Sequence, residues 1–556
     1  MGDAVTPDEA ATPDDAERER PRWRRVASVV LTTLAALLVL FALVGPNDLN
    51  RLTPAAFVRI PVEALVGVAL LLVLPTRARR WVAAPAGVVL GLLTIAKFAD
   101  MGFYAVLNRP FDPVLDWSFL GNAVDFLALS IGRFGAVASV VVAALLVVAV
   151  LVFMALAVRR LARIAVRHRT GSIRGVVVLG VAWVVCAVLG VQVAAGVPVA
   201  SRSAATLTYG RAVQVGAGIR DHQKFADESA VDAFRTTPAG EMLTGLRGKD
   251  VMLVFVESYG RSAVEDPQFA PQVDAVLDDG TRRLRAAGFA SRSGWLTSPT
   301  YGGGSWLAHA TLNSGLWINN QQRYRTLVAS DRLTLTSAFK RADWHTVALM
   351  PATTGPWPEG KFYGFDRVYD STNMGGYSGP RFTFSAIPDQ YTLATFERNE
   401  HAPAGRAPVM AEIPLLCSHG PWAPIPRMLD WNDLGDGSGY AGVAKDASGP
   451  DPNRVRLQYR QSIEYSLSSV ISYLEKYGND DTVLVFLGDH QPATLVTGEG
   501  ASHDVPISIV ARDPAVLDRI SGWGWQDGIR PGPQAPVWKM SAFRDKFLTA
   551  FGPQAR

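Results

Sequence analysis

Three apolar runs in the C-terminal half of this 556-residue sequence end in residues that can bind a cation or move a proton. Val251–Val256 runs into Glu257, Val409–Leu416 into Cys417, Ser418 and His419, and Thr482–Leu487 into Gly488, Asp489 and His490. Two carboxylates and an imidazole at neighbouring strand ends make a hard oxygen and nitrogen donor set suited to zinc, manganese or magnesium. Taken singly, each has a plainer reading. Glu257 could cap a helix, His419 could be a loop histidine, and Asp489 and His490 converge only in a turn. A fourth segment, Pro299-Thr300-Tyr301-Gly302-Gly303-Gly304-Ser305-Trp306, adds a hydroxyl nucleophile. Its glycines let the backbone approach an anion, and Ser305 opens a helical stretch over Trp306–Leu312 whose N-terminal amides point the same way. A divalent cation beside that hydroxyl would lower its pKa. The segment alone also fits a flexible loop ending in an N-cap, and Thr300 is a weaker nucleophile candidate.

These residues need a frame that brings distant strand ends together. Strands are expected at Val251–Val256, His345–Met350, Val409–Leu416, Thr482–Leu487 and Val505–Ala511, with helices such as Val455–Tyr477 between them. Near-continuous apolar strands separated by helices predict a mostly parallel α/β sheet covered on both faces, and such sheets bind ligands beyond their carboxyl ends. No fixed-period repeat interrupts the pattern. Two rival motifs fail: Gly304-Ser305 lacks the lysine of a P-loop, and Leu307 stands where a nucleophile elbow needs glycine. Two cysteines, Cys186 and Cys417, exclude a disulfide framework or a zinc ribbon.

The N-terminal half has a different composition. Residues 1–200 hold 19 Lys and Arg against 13 Asp and Glu, whereas the remainder holds 35 against 37. The basic excess therefore sits among apolar segments, as membrane topology requires, and gives no reason to expect a nucleic-acid partner. Five spans are expected, at about 26–44, 56–74, 81–100, 134–158 and 175–199, forming a transmembrane domain over 26–200. Arg59 and Glu63 fall inside the second, where they could pair or reach the interface. Arginines precede the first span and fill the second-to-third and fourth-to-fifth loops, while Asp48, Asp112, Asp116 and Asp125 occupy the alternate loops. This places the N-terminus in the cytoplasm, behind a disordered tail at 1–25, and the chain after about Ala200 outside. Residues 201–247 read as a juxtamembrane connector and 248–556 as the extracytoplasmic catalytic domain.

The order Glu257, Gly-Gly-Gly-Ser305, Ser418-His419 and Gly488-Asp489-His490 resembles the sulfatase-like branch of the alkaline phosphatase superfamily. With five spans and an outward C-terminal domain, the chain is similar to the lipoteichoic acid synthase or phosphoglycerol transferase group. The resemblance implies that Glu257, Ser305, Asp489 and His490 hold one divalent metal, manganese before magnesium or zinc. Ser305 would be the nucleophile, where the synthases usually have threonine. His419 would contact the substrate phosphate or leaving group, and Trp357 is an approximate counterpart of a substrate-contacting tryptophan. Trp306, Leu307, Ala308 and His309 depart from the acidic segment the synthases carry there. Neither cysteine heads the Cys-x-Pro-x-Arg motif of true sulfatases, so sulfate-ester hydrolysis through formylglycine is not expected. His503, before the last strand, is a candidate second-metal group or an ordinary surface histidine. The implied activity moves a phosphoglycerol-type headgroup from a membrane lipid to a cell-envelope glycan, polyol or glycolipid through a phospho-serine intermediate. Alternatives are a phosphodiesterase, phosphatase or phosphoethanolamine transferase of the same fold, or a non-catalytic envelope-binding membrane protein.

Overall fold

The computed structural model describes residues 22–355, 357–382, 384, 387–442 and 451–553; most of the expected tail lies outside them. The chain forms two compact units. One runs up to Gly102 and includes Phe134–Gln214; the other comprises Phe103–Arg133 and the chain from Val215 onward.

The first unit is built of apolar helices. Helix α1 spans Arg22–Val44, α2 Val62–Val73, α3 Thr76–Leu107, α4 Trp117–Arg167 and α5 Arg169–Leu189; α3 and α4 each run on into the second unit. Among the described residues four helices are long and apolar enough to cross a membrane: α1, α3, α5 and the part of α4 from Ile131. The expected second span at 56–74 is corrected. Its N-terminal part is a 3-10 turn at Pro54–Phe57 and a short strand at Ile60–Pro61 that pairs with Ala200–Ser201, leaving α2 only 12 residues. Polar groups dictate this break. Arg59 Nε donates to the Pro198 carbonyl (3.0 Å) and Glu63 Oε1 accepts from the Ala205 amide (2.8 Å). The helix expected as the fifth span ends at Leu189 rather than Val199, because Gly190 adopts a left-handed conformation that caps α5 before a short hairpin. In α4, Gly132 (φ 81°) marks a break before the uninterrupted apolar run. Lys97 is buried in α3, and its ammonium donates to the Ala42 and Gly45 carbonyls (2.8 and 2.7 Å), beside the end of α1 where carbonyls lack helical partners. Beyond the hairpin, helix α6 covers Ser203–Ala230, much of the expected connector.

The second unit holds a nine-stranded sheet. Its strands are β1 (Asp250–Val256), β2 (Ala290–Thr297), β3 (His345–Met350), β4 (Arg367–Asp370), β5 (Val409–Leu415), β6 (Thr482–Gly488), β7 (Asp504–Ala511), β8 (Gln526–Asp527) and β9 (Val537–Lys539). The order is β8-β2-β7-β6-β1-β5-β3-β4, with β9 alongside β2. Strands β6, β1, β5, β3 and β4 are mutually parallel, and β7 joins antiparallel. Alternation along β1 explains the two-sided core. Met252, Val254 and Val256 enter one apolar cluster with helices α7 (Ala270–Ala286) and α10 (Pro452–Tyr477), whereas Val251, Leu253 and Phe255 enter the other with α8 (Ser305–Ser314). Helix α9 (Asp389–Phe396) packs with the first layer. Burying both faces of a parallel strand demands a near-continuous apolar run, which is how β1, β5 and β6 read, with Glu412 the one charged residue inside β5.

Candidate active site and metal centre

Register alone brings the key groups together. Gly488 of β6 is level with Val256 of β1, and Val256 with Leu415 of β5, so the next residues emerge side by side at one carboxyl rim. Glu257 and Asp489 are buried there, and His490 turns in beside them. Ligand atoms of Glu257, Asp489 and His490 all lie within 4.8 Å of one another. His490 Nε2 is 3.3 Å from Glu257 Oε1 and 3.7 Å from Asp489 Oδ2.

Backbone geometry aims each group. Ser258 takes a left-handed conformation (φ 56°), and its amide donates to Asp489 Oδ1 (2.8 Å), as does the amide of His490 (2.7 Å). The hydroxyl of Ser258 donates to Glu257 Oε1 (2.9 Å), and Tyr459 on α10 donates to the Ser258 carbonyl (2.9 Å). His490 Nδ1 faces the Gln491 carbonyl at 2.8 Å. A carbonyl has no proton to give, so Nδ1 carries the hydrogen and Nε2 presents its lone pair to the cluster.

Ser305 completes the group from α8. All three preceding glycines have positive φ (67°, 154° and 81°), and a side chain at Gly302 would put its Cβ 1.7 Å from the Val106 carbonyl oxygen. Only glycine fits that turn. The turn delivers Ser305 Oγ within 2.8 Å of Glu257 Oε2, to which it donates, and within 3.2 Å of His490 Nε2. The N-terminus of α8 at the same place favours an anion.

Electrostatics complement the geometry. Burial alone would raise the Glu257 carboxyl, but His490, His419 and the hydrogen bond from Ser305 outweigh it and hold the group down at about 2. Burial and the Glu257 charge push Asp489 well above the usual carboxylate range. Burial lowers His490, which favours the neutral form a ligand needs. Asp489 Oδ2 is buried without a hydrogen-bond partner among the described residues. An orphaned carboxylate oxygen facing a second carboxylate, an imidazole lone pair and a hydroxyl is a donor set that a divalent cation fits.

The other sequence candidates fall in different places. His419 follows β5, with its ring stacked on Phe384 (3.7 Å, 14° between planes) and Nδ1 on the Gly420 carbonyl (2.6 Å), and Nε2 has no hydrogen bond to the described residues. Its loop is fixed by Asp389, which accepts from the Leu416 and Cys417 amides, and by Ser418, which donates to the Glu257 carbonyl (2.6 Å). Trp357 stacks on Tyr363 (5.5 Å) and Phe365 (6.0 Å), and none of its described contacts is to Glu257, Ser305, Asp489 or His490. His503 packs on Tyr301 (5.2 Å between centroids) and stays outside the cluster. Thr300 is tied to Ser298. Sequence reasoning gave no role to Ser258, Phe384 or Glu412. The first two act through a backbone angle and a ring stack that have no spacing signature, and Glu412 is a carboxylate inside an apolar strand, a signal that could have been weighed.

Residues 249–506 match the family model described as Sulfatase. No curated protein matches the sequence. Among solved structures, the lipoteichoic acid synthase LtaP from Listeria monocytogenes is similar over 56% of this chain and 74% of its own, with 15% identity and a TM-score of 0.37. The Streptococcus pyogenes phosphoglycerol transferase GacH, in complex with sn-glycerol-1-phosphate, aligns over 60% and 90%, with 13% identity and a TM-score of 0.34. The integral membrane lipooligosaccharide phosphoethanolamine transferase A from Neisseria meningitidis aligns over 93% and 95%, with 13% identity and a TM-score of 0.43.

Proposed function

We propose, taking residues 249–506 as a domain of the sulfatase family, that this chain is a membrane-anchored, divalent-metal-dependent phosphotransferase with Ser305 as its nucleophile. The observation that carries this reading is Ser305 Oγ at 2.8 Å from Glu257 Oε2 and 3.2 Å from His490 Nε2, beside the unpartnered Asp489 Oδ2. Glu257, Asp489, His490 and Ser305 would hold one divalent cation, manganese by preference. When bound, that cation supplies positive charge that eases deprotonation of the serine and offsets charge on the phosphoryl oxygens.

The chain's own residues do the rest. Ser305 gives up its proton along the hydrogen bond to Glu257, and Oγ attacks phosphorus of a lipid headgroup phosphodiester. An Oγ–P bond forms, the P–O bond to the diacylglycerol breaks, and the departing oxygen takes a proton that His419 Nε2 is free to exchange. An acceptor hydroxyl then attacks the same phosphorus and passes its proton to His419, while the Oγ–P bond breaks and Oγ takes back the proton held by Glu257. The N-terminus of α8 favours the anionic phosphoryl group throughout. A glycan, polyol or glycolipid of the cell envelope is the acceptor class that fits a lipid donor. The arginines flanking the apolar helices support a topology with the N-terminus inside and the catalytic unit outside the cytoplasmic membrane.

The test uses the full-length protein in detergent with manganese and, separately, phosphatidylglycerol or phosphatidylethanolamine. Diacylglycerol release, with a Ser305 peptide carrying the headgroup phosphodiester detected by mass spectrometry after acid quench, is expected from one lipid. Release of free headgroup phosphate without added acceptor would make water the acceptor and the enzyme a phosphodiesterase. No release from either lipid, with manganese bound, would overturn the transferase reading.

A further inference from the structure

Two unpartnered buried atoms face each other at the edge of the cluster. Asp489 Oδ2 is one, and the other is His309 Nε2, 4.0 Å away. His309 lies four residues after Ser305 on α8, so the two share a helix face, and Asn313 follows four residues further on the same stripe. The His309 ring is held flat against Phe255 of β1 (3.8 Å between centroids, 17° between planes). That stack fixes the ring plane, and Nδ1 then points to Glu412 Oε1 at 3.6 Å.

Glu412 is a buried carboxylate in the interior of β5, level with Leu253 of β1 and Ala348 of β3. Such a group is costly unless its oxygens are engaged. Asn313 Nδ2 donates to Glu412 Oε2 (2.9 Å), and Asn313 Oδ1 accepts from Thr336 (3.2 Å), so this oxygen is anchored through a fixed amide. The other oxygen faces His309. Glu412, His309 and Asp489 therefore stand in a line, with one imidazole nitrogen presented to each carboxylate.

We infer that His309, backed by Glu412, is a positioning residue for Asp489, orienting Oδ2 toward the cation that Glu257, Asp489 and His490 would hold; this rests on the metal-site reading above. Asp489 Oδ1 is already fixed by the Ser258 and His490 amides, so the one rotation left open to the carboxylate is the one His309 limits. The ring form with N–H on both nitrogens gives Oδ2 the partner it lacks through Nε2 while Nδ1 points to Glu412, and a movement of about 1 Å brings the Nε2–Oδ2 pair to normal hydrogen-bond length. Partners behind metal ligands characteristically tune affinity in this way.

The experiment separates the nitrogens of the ring from its bulk. Manganese binding by the full-length protein in detergent is measured by calorimetric titration for wild type, His309→Phe, which keeps a ring against Phe255, and His309→Gln, which restores a side-chain N–H. We expect His309→Phe to weaken manganese binding by about 10- to 100-fold, His309→Gln to recover part of that loss, and turnover of His309→Phe to return at saturating manganese. His309→Phe binding manganese as wild type does would reduce the residue to packing and overturn the inference. Should His309→Phe unfold, His309→Gln alone decides: affinity as in wild type, with His309→Ala weakened, supports the role, and His309→Gln no tighter than His309→Ala overturns it. Failure of wild type itself to bind manganese would instead overturn the metal-site reading.

Discussion

Arg544 and Asp489 are both buried in the same unit, yet their surroundings differ in kind. Arg544 donates to both oxygens of Asp232 (3.0 and 3.1 Å) and to the Leu333 carbonyl, while Arg332 Nε lies 3.3 Å from the same aspartate. Asp489 has one oxygen held by two amides and the other without a partner, next to the charged Glu257. The first cluster balances its charge with its own side chains and is closed. The second leaves two carboxylates facing each other with histidines and a hydroxyl, and is open toward a cation. A closed cluster holds the fold together, and an open one is destabilised locally in favour of what it binds.

That contrast can be broken at several points. The largest effect is expected for Ser305→Ala, which should cut turnover at least about 10³-fold while thermal unfolding stays close to wild type. Lipid turnover near wild type in that variant would remove the nucleophile assignment. Asp489→Asn should weaken manganese binding by at least about 100-fold, read by titration, yet leave the metal-free protein as stable as before or more so, because it removes repulsion with Glu257. Arg544→Ala should do the reverse. It strands Asp232 and should cost about 3–5 kcal/mol in denaturant unfolding of the folded fraction, with manganese affinity retained wherever the protein is folded. If Asp489→Asn were as destabilising as Arg544→Ala, the open and closed descriptions would lose their meaning.

The smallest effect concerns pH. Asp489 is pushed above the usual carboxylate range, so without a cation it takes up a proton at a higher pH than an ordinary aspartate does. A cation must displace that proton, so manganese affinity should fall as pH drops through the raised range, by up to about tenfold per pH unit. Glu257, held at about 2, stays charged across this window, and burial holds His490 below the ordinary imidazole range. Affinity that holds constant down to about pH 4 would contradict the raised Asp489.

How far the residues alone disclose this arrangement varies with the element. Strands β1, β5 and β6 are legible because burial on both faces demands near-continuous apolar runs, and the polar residues after them mark the rim. Strand β2 is not legible. Its residues Arg292, Ser293 and Gly294 carry no apolar run, and it is a strand because β7, β8 and β9 pair with it. The stretch at 56–74 has the composition of a span, but Arg59 and Glu63 find partners near Pro198 and Ala205, far along the chain, and the helix starts late.

The site divides along the same line. Residue type and order are enough to single out Glu257, Ser305, Asp489 and His490, because a hard donor set and a glycine-flanked hydroxyl are chemical facts of single side chains. Orientation is a different matter. The tautomer of His490, the unpartnered oxygen of Asp489, the seclusion of Trp357 and His503, and the alignment of Glu412 with His309 depend on strand register and helix facing. The placing of His503 against Tyr301 and of Glu412 against His309 is set by packing between segments more than 100 residues apart, and distance along a chain carries no information about direction in space until the sheet has formed.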